Sequence, residues 1–168
     1  MRKLLGSLML GLGMFAGTAH ADVAKLYYGF GLADGSAQIG NTDAEKSLST
    51  VNGTIGVQLL DFIGIELQAG FASDQMNSIV NDSLVNYQAA MVRLGYRWDR
   101  AGIYLLGGQA RLEVDDALNN SDAGMAIGGG INLFGNETTS LNLNHLSFDD
   151  GAFSATTIGF QHYFGGFR

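Results

Sequence analysis

The chain has 168 residues, with no Cys, no Pro and 25 Gly, and its 9 basic and 16 acidic residues give a net charge of −7. Lack of Cys excludes a disulfide scaffold and thiolate metal sites, and the acidic balance argues against nucleic acid, which calls for a basic patch. The length fits one domain, and the absence of Pro fits a chain built almost wholly of hydrogen-bonded strands, because Pro removes a ladder donor.

The amino end reads as an export signal. Met1-Arg2-Lys3 is cationic, residues 4–16 are apolar and Ala19-His20-Ala21 is a small-x-small cleavage site, so processing is expected between Ala21 and Asp22. The apolar run falls short of the ~20 residues of a membrane-spanning helix. Removing Arg2 and Lys3 leaves 7 basic against 16 acidic residues, a net of −9 on residues 22–168.

Eight segments then alternate in character, the mark of strands with two different faces. Residues 23–33 set Leu26, Tyr28, Phe30 and Leu32 against Lys25, Tyr27, Gly29 and Gly31. Residues 48–59 set Val51, Ile55 and Val57 against Thr50, Asn52, Thr54 and Gln58, and residues 62–72 set Ile63, Ile65, Leu67 and Phe71 against Gly64, Glu66, Gln68 and Gly70. In residues 84–98 the clearest part is Val92, Leu94 and Tyr96 opposite Arg93, Gly95 and Arg97.

In residues 102–114 the expected outward face is Tyr104, Leu106, Leu112 and Val114, with Gly107, Gln109, Arg111 and Glu113 inward. Residues 123–134 oppose Met125, Ile127, Ile131 and Leu133 to Gly124, Gly128, Gly130 and Asn132. Residues 138–148 oppose Leu141 and Leu143 to Asn142 and Asn144. The closing run, 157–164, alternates Ile158, Phe160 and Phe164 with Thr157, Gly159 and Gln161.

Apolar residues on one face and small or polar ones on the other fit a wall with lipid outside, as in an all-β, eight-stranded antiparallel up-and-down transmembrane β-barrel. Links at 60–61, 99–101 and 135–137 are short and those at 34–47, 73–83, 115–122 and 149–153 longer, which puts the short turns in the periplasm. A soluble ligand barrel would hold its large apolar residues inside. Here Lys25, Glu66, Arg93, Arg97, Arg111 and Glu113 all share the glycine face. Facing lipid, a midplane Arg or Lys would cost roughly 2–4 kcal/mol. Inside, the charges pair with one another and with amides, making the interior a polar plug. Tyr28, Tyr96, Trp98, Tyr104, Tyr163 and Phe164 are read as interfacial aromatic girdles.

The start Ala24-Lys25-Leu26-Tyr27-Tyr28-Gly29-Phe30-Gly31, the strand end Arg93-Leu94-Gly95-Tyr96-Arg97-Trp98, the run Leu141-Asn142-Leu143-Asn144-His145 and the closing strand carry a resemblance. The sequence is similar to the small outer-membrane β-barrel family that includes the OmpA transmembrane domain, OmpX, Ail-type attachment proteins and opacity-type barrels. The resemblance implies a monomeric, non-enzymatic protein of a Gram-negative outer membrane, without cofactor or metal. Its partners would be outer-membrane lipids and lipopolysaccharide, the barrel-assembly machinery, and an extracellular ligand or host surface. The closing strand resembles the signal read by that machinery, with Gly159, Tyr163 and either Phe164 or Phe167 as its anchor points. No wall-binding domain is expected after it.

Two further features bear on chemistry. His145 and Ser147, two apart on one strand, share a face, and the imidazole could serve as base for the hydroxyl. The spacing resembles the His-x-Ser pair of lipid A 3-O-deacylases, although this chain has Phe148 where that family has Asn and no Glu after Glu137. The acidic loops, with Asp115-Asp116 and Asp149-Asp150, offer oxygen ligands that could share divalent ions with lipopolysaccharide phosphates. A non-enzymatic surface or envelope protein is the leading expectation, a deacylase-like hydrolase the alternative, and a narrow gated conduit the third.

Overall fold

A computed structural model describes residues 24–38, 45–59, 62–72, 85–114, 123–148 and 153–164, with the side chains of 37–38, 45–48, 72, 85 and 112–114 outside that set. Its eight strands are β1 (Ala24–Gln38), β2 (Glu45–Leu59), β3 (Ile63–Ala72), β4 (Val85–Trp98), β5 (Ala101–Val114), β6 (Ala123–Phe134), β7 (Thr139–Phe148) and β8 (Phe153–Phe164). Each pairs antiparallel with the next, and β8 returns to β1, closing the barrel. Closure leaves no unpaired sheet edge, the condition for strands to cross hydrocarbon.

The strands outrun the alternating pattern at the loop ends. β1 and β2 stay in register from Asp34↔Ser49 to Gln38↔Glu45, through residues expected to be loop. There both faces carry polar residues, so the period-2 contrast vanishes although the ladder continues. Likewise β8 begins at Phe153, ahead of the expected 157, and the Phe153 side chain is buried.

The short turns are fixed by local chemistry. Asp99 has φ 33°, in the left-handed region a two-residue hairpin uses, and Trp98 pairs with Ala101 across it. Between β6 and β7, Asn136 Oδ1 accepts from the Thr138 and Thr139 amides at 2.9 and 2.7 Å. That is an Asx turn.

Most large apolar side chains point outward: Phe30 is 66% exposed and Leu105 68%. The interior has two layers. Toward the long-loop end lies an apolar layer with Tyr87, Leu106, Leu146, Phe148 and Phe153, whose rings meet at 5.0–5.6 Å. Toward the short-turn end are Tyr27, Phe134 and Tyr163 among amides and charges. The interior is therefore not polar throughout. Tyr87 fits because its register partner is Gly70, where a Cβ would overlap the ring.

One strand has the opposite facing from that expected. In β5 Tyr104, Leu106 and Ala110 are buried, while Ile103, Leu105, Gly107 and Gln109 face out. Arg111 shares the outward parity, pairing with the exposed Gln88 and Ala123. Residues 103–106 are apolar on both faces, so alternation could not orient the strand. Packing did: Gly130 lies opposite Tyr104 and leaves room for its ring. Tyr104 and Tyr163 thus leave the expected girdles, while Tyr28, Tyr96, Trp98 and Phe164 remain exposed.

Candidate functional site

The most densely bonded group inside the barrel centres on Glu66, which is 0% exposed. Alternation on β3 sends it inward. There its carboxylate accepts from the Tyr27 hydroxyl at 2.5 Å, the Gln68 amide at 2.6 Å and the Arg93 guanidinium at 3.0 Å. A buried carboxylate needs such partners, since desolvation costs several kcal/mol per ion. Arg93 also donates to Gln161 at 3.3 Å and lies over the Tyr104 ring at 3.7 Å, a cation–π geometry. β1, β3, β4, β5 and β8 therefore all contribute to one cluster.

Amides extend it around the wall. Asn142 donates to the Tyr104 hydroxyl and to Asn132, both at 2.6 Å, and Asn132 donates to the Tyr163 hydroxyl at 3.0 Å. Nearer the long loops, Asn52 donates to Tyr87 at 2.5 Å and Thr157 at 3.1 Å. The arrangement fixes side chains across the axis. Among the described residues no cluster of three metal-ligating side chains occurs.

Of the six charged residues expected inside, Glu66 and Arg93 pair directly. Lys25 is buried, and Arg97 lies over the Phe134 ring at 3.6 Å. Arg111 sits on the outer wall instead, and the side chain of Glu113 lies outside those described. Sequence reading missed Tyr27, Tyr104 and Tyr163 as members of the cluster. The available signal was a Gly facing each of two rings: Gly56 opposite Tyr27 and Gly130 opposite Tyr104.

His145 and Ser147 do share the outer face of β7, but the imidazole Nδ1 lies 2.9 Å from Thr156 Oγ1 on β8. The register partners of Ser147 are Ile127 and Ser154. The pair is not brought together. In the closing strand Gly159 and Tyr163 face the lumen and Phe164 the exterior, while Phe167 lies outside the described residues. So do most of the acidic loop residues, including Asp115, Asp116, Asp149 and Asp150.

The sequence matches the family described as outer membrane protein beta-barrel domain over residues 7–162. No curated protein sequence matches it. Among solved structures, the Pseudomonas aeruginosa outer membrane protein OprG is similar at TM-score 0.61 and 15% identity, covering 88% of this chain and 99% of that one. The N-terminal β-barrel domain of P. aeruginosa OprF gives 0.60 and 14%, covering 85% and 98%. Yersinia pestis Ail, solved with the heparin analogue sucrose octasulfate, gives 0.59 and 13%, covering 84% and 99%. At these identities the likeness is one of fold.

Proposed function

The chain belongs to the outer membrane protein β-barrel domain family and resides in the outer membrane of a Gram-negative bacterium, and from that premise we propose a closed, non-enzymatic barrel. Its wall contributes to envelope integrity and its acidic extracellular loops carry surface interaction. Residues 1–21 act as the cleaved export signal. The observation that supports this reading best is the filled interior. The Glu66–Arg93 cluster bridges the axis in one layer, and Tyr87, Phe148 and Phe153 pack together in the other.

The acidity of the loops bears on the partner. Ail was solved with an anionic heparin analogue, whereas a net charge of −9 on residues 22–168 favours a cationic surface or one bridged by divalent ions. The hydrolase alternative has less support, because His145 is engaged by Thr156 rather than by Ser147.

The test compares cells lacking the protein with cells carrying the full chain or a chain in which every Asp and Glu of the long links 34–47, 73–83, 115–122 and 149–153 is changed to its amide. Binding to a basic surface should fall with the loop replacement, and lipid A acylation should be the same in all three. Binding that survives the replacement would overturn the loop role. A deacylated lipid A species present only with the full chain, and lost in Ser147→Ala, would overturn the non-enzymatic one.

A further inference from the structure

The outer wall carries a groove of about 630 Å³ that reaches from Phe30 on β1 to Ala123 on β6. Its floor is made by small residues that the ladder sets side by side. Gly53 pairs with Ala69, and Ala90 pairs with Leu67 on one side and Gln109 on the other. Phe30, Ile55 and Leu67 border it. The space is open: a Cβ at Gly53 would meet nothing closer than the Ala69 carbonyl oxygen at 3.9 Å. Most outward positions elsewhere on the wall carry Leu, Ile, Phe or Tyr, which fill the surface.

The rim is chemically different from the rest of the wall. Gln88, Gln109 and Arg111 line it on two adjacent strands, all on the lipid-facing side. Arg111 lies ten residues along β5 from Ala101, next to the periplasmic turn. At ~3.3 Å per residue and a strand tilt of 35–45°, that is about 25 Å along the barrel axis, the height of the apolar band. The guanidinium therefore sits where outer-leaflet headgroups begin, with the apolar floor extending below it. Among the strand residues whose side chains are described, Arg111 is the cation on the outer face, in a chain of net charge −7.

The geometry points to a binding site for one outer-leaflet lipid with a phosphate-bearing headgroup, of the lipid A class. One acyl chain would lie in the groove over Gly53, Ala69 and Ala90, and a phosphate would sit against Arg111, with Gln88 and Gln109 donating to headgroup oxygens. A guanidinium suits phosphate because its planar fork matches two oxygens at once. The groove opens sideways into the membrane, so a lipid reaches it directly. Hydrocarbon alone offers the two glutamine amides no hydrogen bonds.

The test is native mass spectrometry of the folded mature barrel released from bilayers containing lipid A or lipid A stripped of its phosphates. Wild type should retain one intact lipid A and hold it at least ~10-fold better than the dephosphorylated form, the size of one charge-assisted contact. Arg111→Gln should abolish that preference, and Gly53→Leu, which fills the groove, should reduce retention of both lipids. Folding of each variant is checked by heat-modifiable gel mobility, and the comparison on wild type stands without the variants. Equal retention of the two lipids by wild type would overturn the proposal. So would a copy-to-copy cross-link through a cysteine placed at position 53, which would show the groove buried in a homodimer.

Discussion

Glu66 on β3 and Arg93 on β4 meet at 3.0 Å although neither is the other's register partner: Glu66 stands beside Met91 and Arg93 beside Gly64. The bridge is diagonal: Arg93 stands two residues from Met91 on the neighbouring strand and on the same face, a spacing that long side chains span. The Tyr27 hydroxyl on the same carboxylate holds it in place.

Removing one partner leaves the other charge buried alone. Glu66→Ala or Arg93→Ala should each destabilise the folded barrel by about 3–5 kcal/mol, the usual cost of breaking a buried pair. Replacing both with apolar residues of similar size should cost clearly less than the sum. Urea unfolding in lipid vesicles, run as a double-mutant cycle, measures the coupling.

Two glycines on the barrel wall should respond differently to one methyl group. Gly70→Ala drives a Cβ into the Tyr87 ring and should cost about 1–3 kcal/mol, as overpacking does. Gly107, with nothing within 4 Å of a built Cβ, should tolerate Ala within about 0.5 kcal/mol. The same unfolding assay separates them.

The facing of β5 is open to direct measurement because the chain has no native cysteine. A spin label at Leu105→Cys should be accessible to oxygen dissolved in the bilayer, whereas one at Leu106→Cys should be shielded. The reverse order would restore the facing expected from the sequence.

Much of the fold was legible because lipid imposes a simple rule on each strand. In β3, Ile63, Ile65 and Leu67 alternate with Gly64, Glu66 and Gln68, so facing and register follow from the sequence. The rule fails where its cause is absent. Above the membrane, residues 34–38 and 45–47 extend the ladder with no apolar contrast. In β5, Ile103-Tyr104-Leu105-Leu106 satisfies the rule in either direction, and the choice rests on Gly130 on the next strand. The Glu66–Arg93 pair was legible as two inward charges. Tyr27 was legible as inward but not as a partner of the carboxylate, and Tyr104 and Tyr163 were not legible as lumen residues, because in a barrel Tyr suits an interfacial girdle as well as a lumen.

The closing strand yields a prediction about assembly. Phe164 faces out at the short-turn end of β8 and packs against Tyr28 at 5.5 Å. Phe164→Ala should slow insertion by the assembly machinery while leaving a barrel of wild-type gel mobility once formed. Phe167→Ala, tested beside it, should have the smaller effect. Insertion kinetics into proteoliposomes holding that machinery distinguish the two.

The claim on which the account turns is that the lumen is closed, with the charged cluster below and the Tyr87–Phe148–Phe153 layer above. Single-channel recording of the refolded mature barrel in planar bilayers tests it most directly. A closed lumen gives no steady unitary current across the physiological voltage range. A stable, ohmic pore in the wild-type protein would contradict it.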